Sequence, residues 1–319
     1  MIKRLIQGIM NLMGYQLIRL PCSSPDIHAH VDNFDEIAGK YIDRLMLDPL
    51  NPKLHLEYGV EAKNYGQYFL AFAEIKSALF LGAKKETANN YLLQLIDHMP
   101  VLHDLNHNQF YRFHSLSSVI KSKSSGPDIS ILDVGGGNGE LASFLPNYQY
   151  CLAEPATNGI SGTGLPFQDN SFDYVVSCHV LEHIAPEKRN LYLDQLLSKS
   201  KSGVILLNPF HLDGTYVRER LQLVIEVTNA DWAKEHLECS LPLVTDLEKY
   251  ALNNNLHFKI SPNGTLTTSM AIELMNFFAG RSGMADSAVK INRFFNHKYI
   301  DILDSNKYPT AFMVEFDKR

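Results

Sequence analysis

Four of the five residues after Val134 are glycines, in the run Asp133-Val134-Gly135-Gly136-Gly137-Asn138-Gly139. A backbone with almost no side chains can approach a ligand closely and reach the left-handed conformations that a tight turn demands. Ahead of it, Ile131 to Val134 are apolar or β-branched apart from one acid, which fits a short buried strand. After it, Glu140 to Leu145 can begin a helix whose first free N–H groups face whatever the loop cradles. The chemistry of this layout is the binding of a nucleotide or nucleoside. Glu154 stands about 20 residues further on, at the end of a second apolar stretch, where an acid can accept both hydroxyls of a ribose. A solvated loop glutamate is the plainer reading, and the apolar strand before it argues against that.

A second run begins at Leu165-Pro166-Phe167, continues through Ser171-Phe172-Asp173, and ends at Cys178-His179-Val180-Leu181-Glu182-His183. In this order the two runs resemble class I S-adenosylmethionine (SAM)-dependent methyltransferases, over roughly residues 129–319. The resemblance implies an α/β fold, a Rossmann-like seven-stranded sheet, here preceded by an all-helical N-terminal region. It implies that Gly135, Gly137 and Gly139, with Asn138, line the methionine and ribose of SAM. Asp133 would order the loop or meet the amino group, and Glu154 would hold the ribose. Leu165, Pro166 and Phe167 would wall the adenine, and Cys178 and His179 would lie around the sulfonium or the adenine. The chain departs from the family between Pro155 and Gly164, which is too short for the usual helix plus strand. No Asp precedes Leu165 either, so adenine recognition is left to backbone groups or to Thr163.

Two other motifs match formally. Gly137-Asn138-Gly139-Glu140-Leu141-Ala142 fits a dinucleotide fingerprint, but two glycines intervene before it and no dehydrogenase acid–base set accompanies it. His179-Val180-Leu181-Glu182-His183 fits a zinc pattern that needs a helix. Here it starts at the end of a strand, so no metal is expected. His103, His107 and His114 read as polar helix positions.

The chain has 319 residues, 45% hydrophobic and 20% charged, with net charge −6 and pI near 6.1. That length favours two domains, and the acidic balance argues against nucleic acid as a partner. The four cysteines form no Cys-x-x-Cys pair, so neither a zinc ribbon nor a disulfide frame is indicated and a reduced, cytoplasmic setting fits. Residues 2–20 place apolar side chains near helical spacing among Lys3, Arg4 and Arg19. This is either an interfacial helix at the inner membrane face or a helix docked on protein. Residues 21–33 read as a linker and 34–124 as helices. Within these, Tyr58-Gly59, Ala62, Gly66, Ala71, Ile75 and Ala78-Leu79 follow tetratricopeptide spacing. That region is either a cap on the following domain or a surface for a protein partner or self-association. After a polar hinge at 121–127, strands at 130–134, 148–153, 172–178, 203–208, 256–261 and 310–316 alternate with helices, as in a mostly parallel sheet.

Methyl transfer from a sulfonium mainly needs alignment, with a base only where the acceptor must lose a proton. His211, just past the fifth strand of the family pattern, is the first candidate base by position. His179 is the second, with His183, Asp213, Glu235 and His236 behind them. The acceptor is expected to be a small molecule or glycan, and a sugar hydroxyl in bacterial surface polysaccharide synthesis is the leading expectation. The alternative is an interaction scaffold whose methyltransferase-like half binds SAM weakly or not at all.

Overall fold

A computed structural model describes residues 25–123, 126–211, 217–238, 241–298 and 308–318. The amphipathic stretch 2–20 lies outside the described residues. The helices α1 (Pro25–Leu47), α2 (Pro52–Asn64), α3 (Tyr68–Phe80), α4 (Lys85–Leu95) and α5 (His107–Lys123) come first. Helix α1 begins at Pro25, so the described part of the expected 21–33 linker is helical. Asn51 caps α2, its side chain accepting from the N–H groups of Lys53 and Leu54, with Pro52 at the first helical position, where no N–H is needed. Gly59 lets α2 and α3 approach closely, since a Cβ there would lie 2.7 Å from Ile75 Cγ1.

The strands follow as β1 (Ser130–Val134), β2 (Gln149–Ala153), β3 (Phe172–Cys178), β4 (Ser200–Asn208), β5 (His257–Asn263) and β6 (Ala311–Asp317). Between them run α6 (Leu141–Phe144), α7 (Pro155–Asn158), α8 (Arg189–Lys199), α9 (Val217–Thr228), α10 (Asp231–Glu238), α11 (Val244–Asn253), α12 (Leu266–Arg281) and α13 (Ala285–Lys298). The sheet order is β2-β1-β3-β4-β6-β5. The first four strands are parallel, and β6 runs antiparallel to both its neighbours. All five residues of β1 are buried, as expected of a parallel strand covered on both faces.

Among the described residues the sheet has six strands, not the seven that the family resemblance implied. The chain leaves β2 through only the four-residue α7 and a loop, too little for a crossover helix and another strand. Strand β2 is therefore an edge, and α3 covers it. The Leu152 N–H donates to Ser77 Oγ at 3.0 Å, and Lys76 Nζ donates to the carbonyls of Leu145 and Pro146. An edge closed in this way cannot template pairing with another chain.

The N-terminal helices share the core of the sheet. Phe110, Leu116 and Ile120 of α5 pack on Ile131, Tyr150 and Ile205 on one face. On the other, Tyr192 and Leu196 of α8 pack with Leu132, Val175 and Leu206. At the end of α5, Lys123 pairs with Glu315 and Asp317 of β6. Among the described residues, no helix is long and apolar enough to cross a membrane.

Helix α3 also buttresses the glycine loop. Gly139 has φ +76°, and a Cβ there would overlap Ala73 Cβ on α3. Gly139→Ala should therefore destabilise the fold by about 2–5 kcal/mol, combining left-handed strain with overpacking. Urea unfolding measures this, and an unchanged midpoint would contradict the contact.

Candidate active site

Gly135, Gly137 and Gly139 all adopt positive φ, at 78°, 58° and 76°. The loop folds back under the turn that follows β3, since a Cβ on Gly135 would overlap Val180. Glu154 ends β2 and is buried. Its Oε2 accepts from the Gly137 N–H at 3.1 Å and its Oε1 from the Ala156 N–H at 3.0 Å, capping α7. Thr157 Oγ1 donates to the Gly137 carbonyl. The acid, the loop and α7 thus form one unit. Gly137 is half-buried and Asn138 exposed, so the loop's crest remains reachable.

Three acids surround this loop. Asp133 is buried, and Tyr150 Oη donates to its Oδ2 at 2.6 Å while Oδ1 has no partner. Burial, together with the charges of Glu140 and Glu154, raises the Asp133 carboxyl to about 7 against the pull of the Tyr150 hydrogen bond. Burial likewise raises Glu140 to about 7, with Glu154 adding to it. Glu154 is raised by burial, although its two backbone hydrogen bonds oppose the shift. Desolvated acids of this kind favour a ligand that carries positive charge.

Past β3, His179 takes φ +58°, a conformation costly for a side chain with a Cβ and one that clusters at functional sites. Its Nδ1 lies 3.1 Å from Glu182 Oε1, and its buried Nε2 has no partner. Burial, reinforced by the nearby Arg112 charge, lowers His179 to about 4. Asn208, at the end of β4, donates to Glu182 Oε2. Burial alone would raise Glu182, but His179, His183 and His236 around it hold it near 2. His179 lines a cavity with His107, Arg112, Arg220, Thr265 and Ser269. Arg220 is buried, with Nε unpartnered, and burial lowers it to about 10.

The expected residues divide. Asp133, the glycines and Glu154 converge on one loop, and His179 joins the adjoining cavity. Cys178 is buried and its thiol is pushed up to about 12 by burial, so it contributes bulk rather than a nucleophile. Leu165 and Phe167 are core residues, Phe167 set edge-on to Phe172, and Pro166 is only half-buried. His211, the first candidate base, is exposed, bridges Leu243 through its backbone, and does not line the cavity. Arg112, Arg220 and Thr265 were not singled out from the sequence. An arginine on an amphipathic helix reads as solvent-facing, and no local pattern marks Arg220 as buried.

A family model described as a methyltransferase domain matches residues 91–257. The chain belongs to this methyltransferase family. The methyltransferase takes its methyl group from SAM. Its residues fit that cofactor: the loop is held to glycine at 135, 136 and 139, where a Cβ would overlap Val180, Asp133 and Ala73, and the buried Asp133 Oδ1 is without a partner. Among solved structures, it is similar to the YcgJ protein of Bacillus subtilis, at 15% identity over 65% of this chain and 98% of that one, with TM-score 0.39. It is also similar to phosphoethanolamine N-methyltransferase 2 of Haemonchus contortus in complex with SAM, at 14% identity over 69% of this chain and 60% of that one, with TM-score 0.42. No curated protein matches the methyltransferase.

Proposed function

We propose that Asp133, Gly135, Gly137, Asn138, Gly139 and Glu154 hold SAM, and that the methyl acceptor is a hydroxyl compound entering the cavity beside His179. The observation that carries the acceptor reading is the His179 ring, which lines the cavity with a buried, unpartnered Nε2. A neutral imidazole in that state can take the proton that a hydroxyl loses. The remaining lining is rich in donors, with Arg112, Arg220, Thr265 and Ser269, which suits a polyhydroxylated acceptor such as a sugar. We take this acceptor to be a small molecule or a surface glycan.

Glu154 retains lone pairs for the ribose hydroxyls, because a carboxylate can accept about four hydrogen bonds and the backbone supplies two. The bound cofactor supplies an electrophilic methyl and a good leaving group. His179 accepts the acceptor's proton at Nε2, and Glu182 Oε1 faces its Nδ1. The test is transfer of labelled methyl from SAM to a panel of sugars, sugar nucleotides and oligosaccharides. Label on a sugar oxygen supports the reading, whereas label only on amines would contradict it.

Cofactor binding should also release protons. Asp133 and Glu140, both raised to about 7 by burial, are partly protonated at neutral pH in the free protein. A cationic ligand favours their ionised forms, so affinity for SAM should tighten from pH 6 to pH 8. Calorimetry at pH 7 in buffers of different ionisation enthalpy reads this directly, and identical heats in both would exclude it.

A further inference from the structure

We propose that Glu182, His183 and His236 form a binding site for one divalent transition-metal ion beside the acceptor cavity. Among the described residues, these are the only three His, Cys, Asp or Glu side chains whose donor atoms all lie within 4.8 Å of one another. Two come from the turn after β3, and the third from α10. Two imidazoles and one carboxylate suit zinc, cobalt, nickel or ferrous iron better than magnesium or calcium.

The geometry is close to that of a loaded site. His236 Nε2 and His183 Nε2 are 3.3 Å apart. Two nitrogens each about 2.1 Å from a tetrahedral zinc would be separated by about 3.4 Å. Glu182 is fully buried. Its Oε1 has the His179 Nδ1 3.1 Å away but forms no well-shaped hydrogen bond. A buried carboxylate oxygen satisfied this weakly favours a cation beside it.

The supporting groups fix the donors. Asn208 of β4 holds the other carboxylate oxygen. The Trp232 ring lies edge-on to His236, their centroids 5.5 Å apart, and Leu221, Val224 and Ala233 pack α9 against α10. Such backing orients ligands in metal sites. Three protein donors leave at least one coordination position for an oxygen of the acceptor. On the hydroxyl-transfer reading above, an ion there would orient that oxygen and ease the loss of its proton. The binding site itself does not depend on that reading.

The full-length protein, stripped with chelator and titrated with Co²⁺, should develop visible d–d absorption that saturates at one ion per chain. Zn²⁺ should displace it. His236→Gln and His183→Gln should each weaken Co²⁺ binding at least tenfold while leaving thermal melting and S-adenosylhomocysteine binding in place. No saturable Co²⁺ signal, or an undiminished one in both variants, would overturn the proposal and leave a neutral imidazole–imidazole hydrogen bond as the account of the 3.3 Å contact. Because binding is read without any acceptor, failure of the transfer reading would not alter this result.

Discussion

His179→Gln should lower kcat by about 10²- to 10⁴-fold, the usual worth of a positioned acid or base. Its affinity for S-adenosylhomocysteine should change only a few-fold. The reasoning is geometric first. His179 sits at the carboxyl end of β3 with φ +58°, and the turn it opens lies on Gly135 through Val180. Its Nε2 is buried and unpartnered in the cavity wall, while Nδ1 faces Glu182. Glutamine keeps the size and a polar end but cannot carry the proton away. The pH profile adds a second check. Burial and Arg112 lower His179 to about 4, so the neutral base persists down to that pH. The acidic limb of kcat/KM should lie near 4 rather than near the ordinary histidine value of about 6.5. A variant with wild-type kcat would remove His179 from the chemistry.

Glu74→Ala should cost about 3–5 kcal/mol of stability, because it strands partners of a buried charge. Glu74 lies in α3, fully buried, with Oε2 2.5 Å from His55 Nδ1. Its Oε1 accepts from Asn158 Nδ2 at 3.0 Å. The other imidazole nitrogen, Nε2, meets the Pro49 carbonyl. Both partners of the ring are acceptors, so both nitrogens donate and the imidazole is cationic. Burial opposes that charge, but Glu74 overcomes it, and His55 is raised above 6.5. The pair's stabilisation is therefore complete below pH 6.5 and fades as pH rises through the folded value. Wild type should lose more stability than Glu74→Gln between pH 6 and pH 9 in urea unfolding. The variant also reaches the cofactor site without touching it, because Asn158 Oδ1 accepts the Glu154 N–H. Weakened S-adenosylhomocysteine binding in Glu74→Ala would show that the N-terminal helices position Glu154. Unchanged stability would show that the buried pair contributes nothing.

The elements that carry the glycine loop were legible because their signals are local. An apolar pentad, four glycines and an acid after a second apolar run mark β1, its turn and the end of β2, and all six expected strands fall within a few residues of their positions. The shortened 155–164 segment also announced a departure, and the missing strand is its consequence. That α3 would close the exposed edge was not legible, because Ser77 and Leu152 are far apart in sequence and meet only in the fold. The same holds for the cavity that His179 lines. His179 was visible as part of a motif, but Arg112 and Arg220 arrive from α5 and α9, and a buried arginine leaves no periodic trace. His211 stands out in the sequence only by its place after a strand. The chain turns there to pair with Leu243 and carries the residue to the surface. The two histidines of the motif at 179–183 share no helix, so in sequence the motif does not read as a metal site. The structure brings His236 from α10 to His183 instead.

The most direct measurement is calorimetric titration of the purified protein with SAM and with S-adenosylhomocysteine, repeated on Glu154→Ala. Micromolar binding of both ligands is expected, weakened about 10- to 100-fold by the substitution, the worth of one or two hydrogen bonds to a charged group. Absence of binding to either ligand, or binding that Glu154→Ala leaves intact, would contradict a cofactor site built on the glycine loop and this acid.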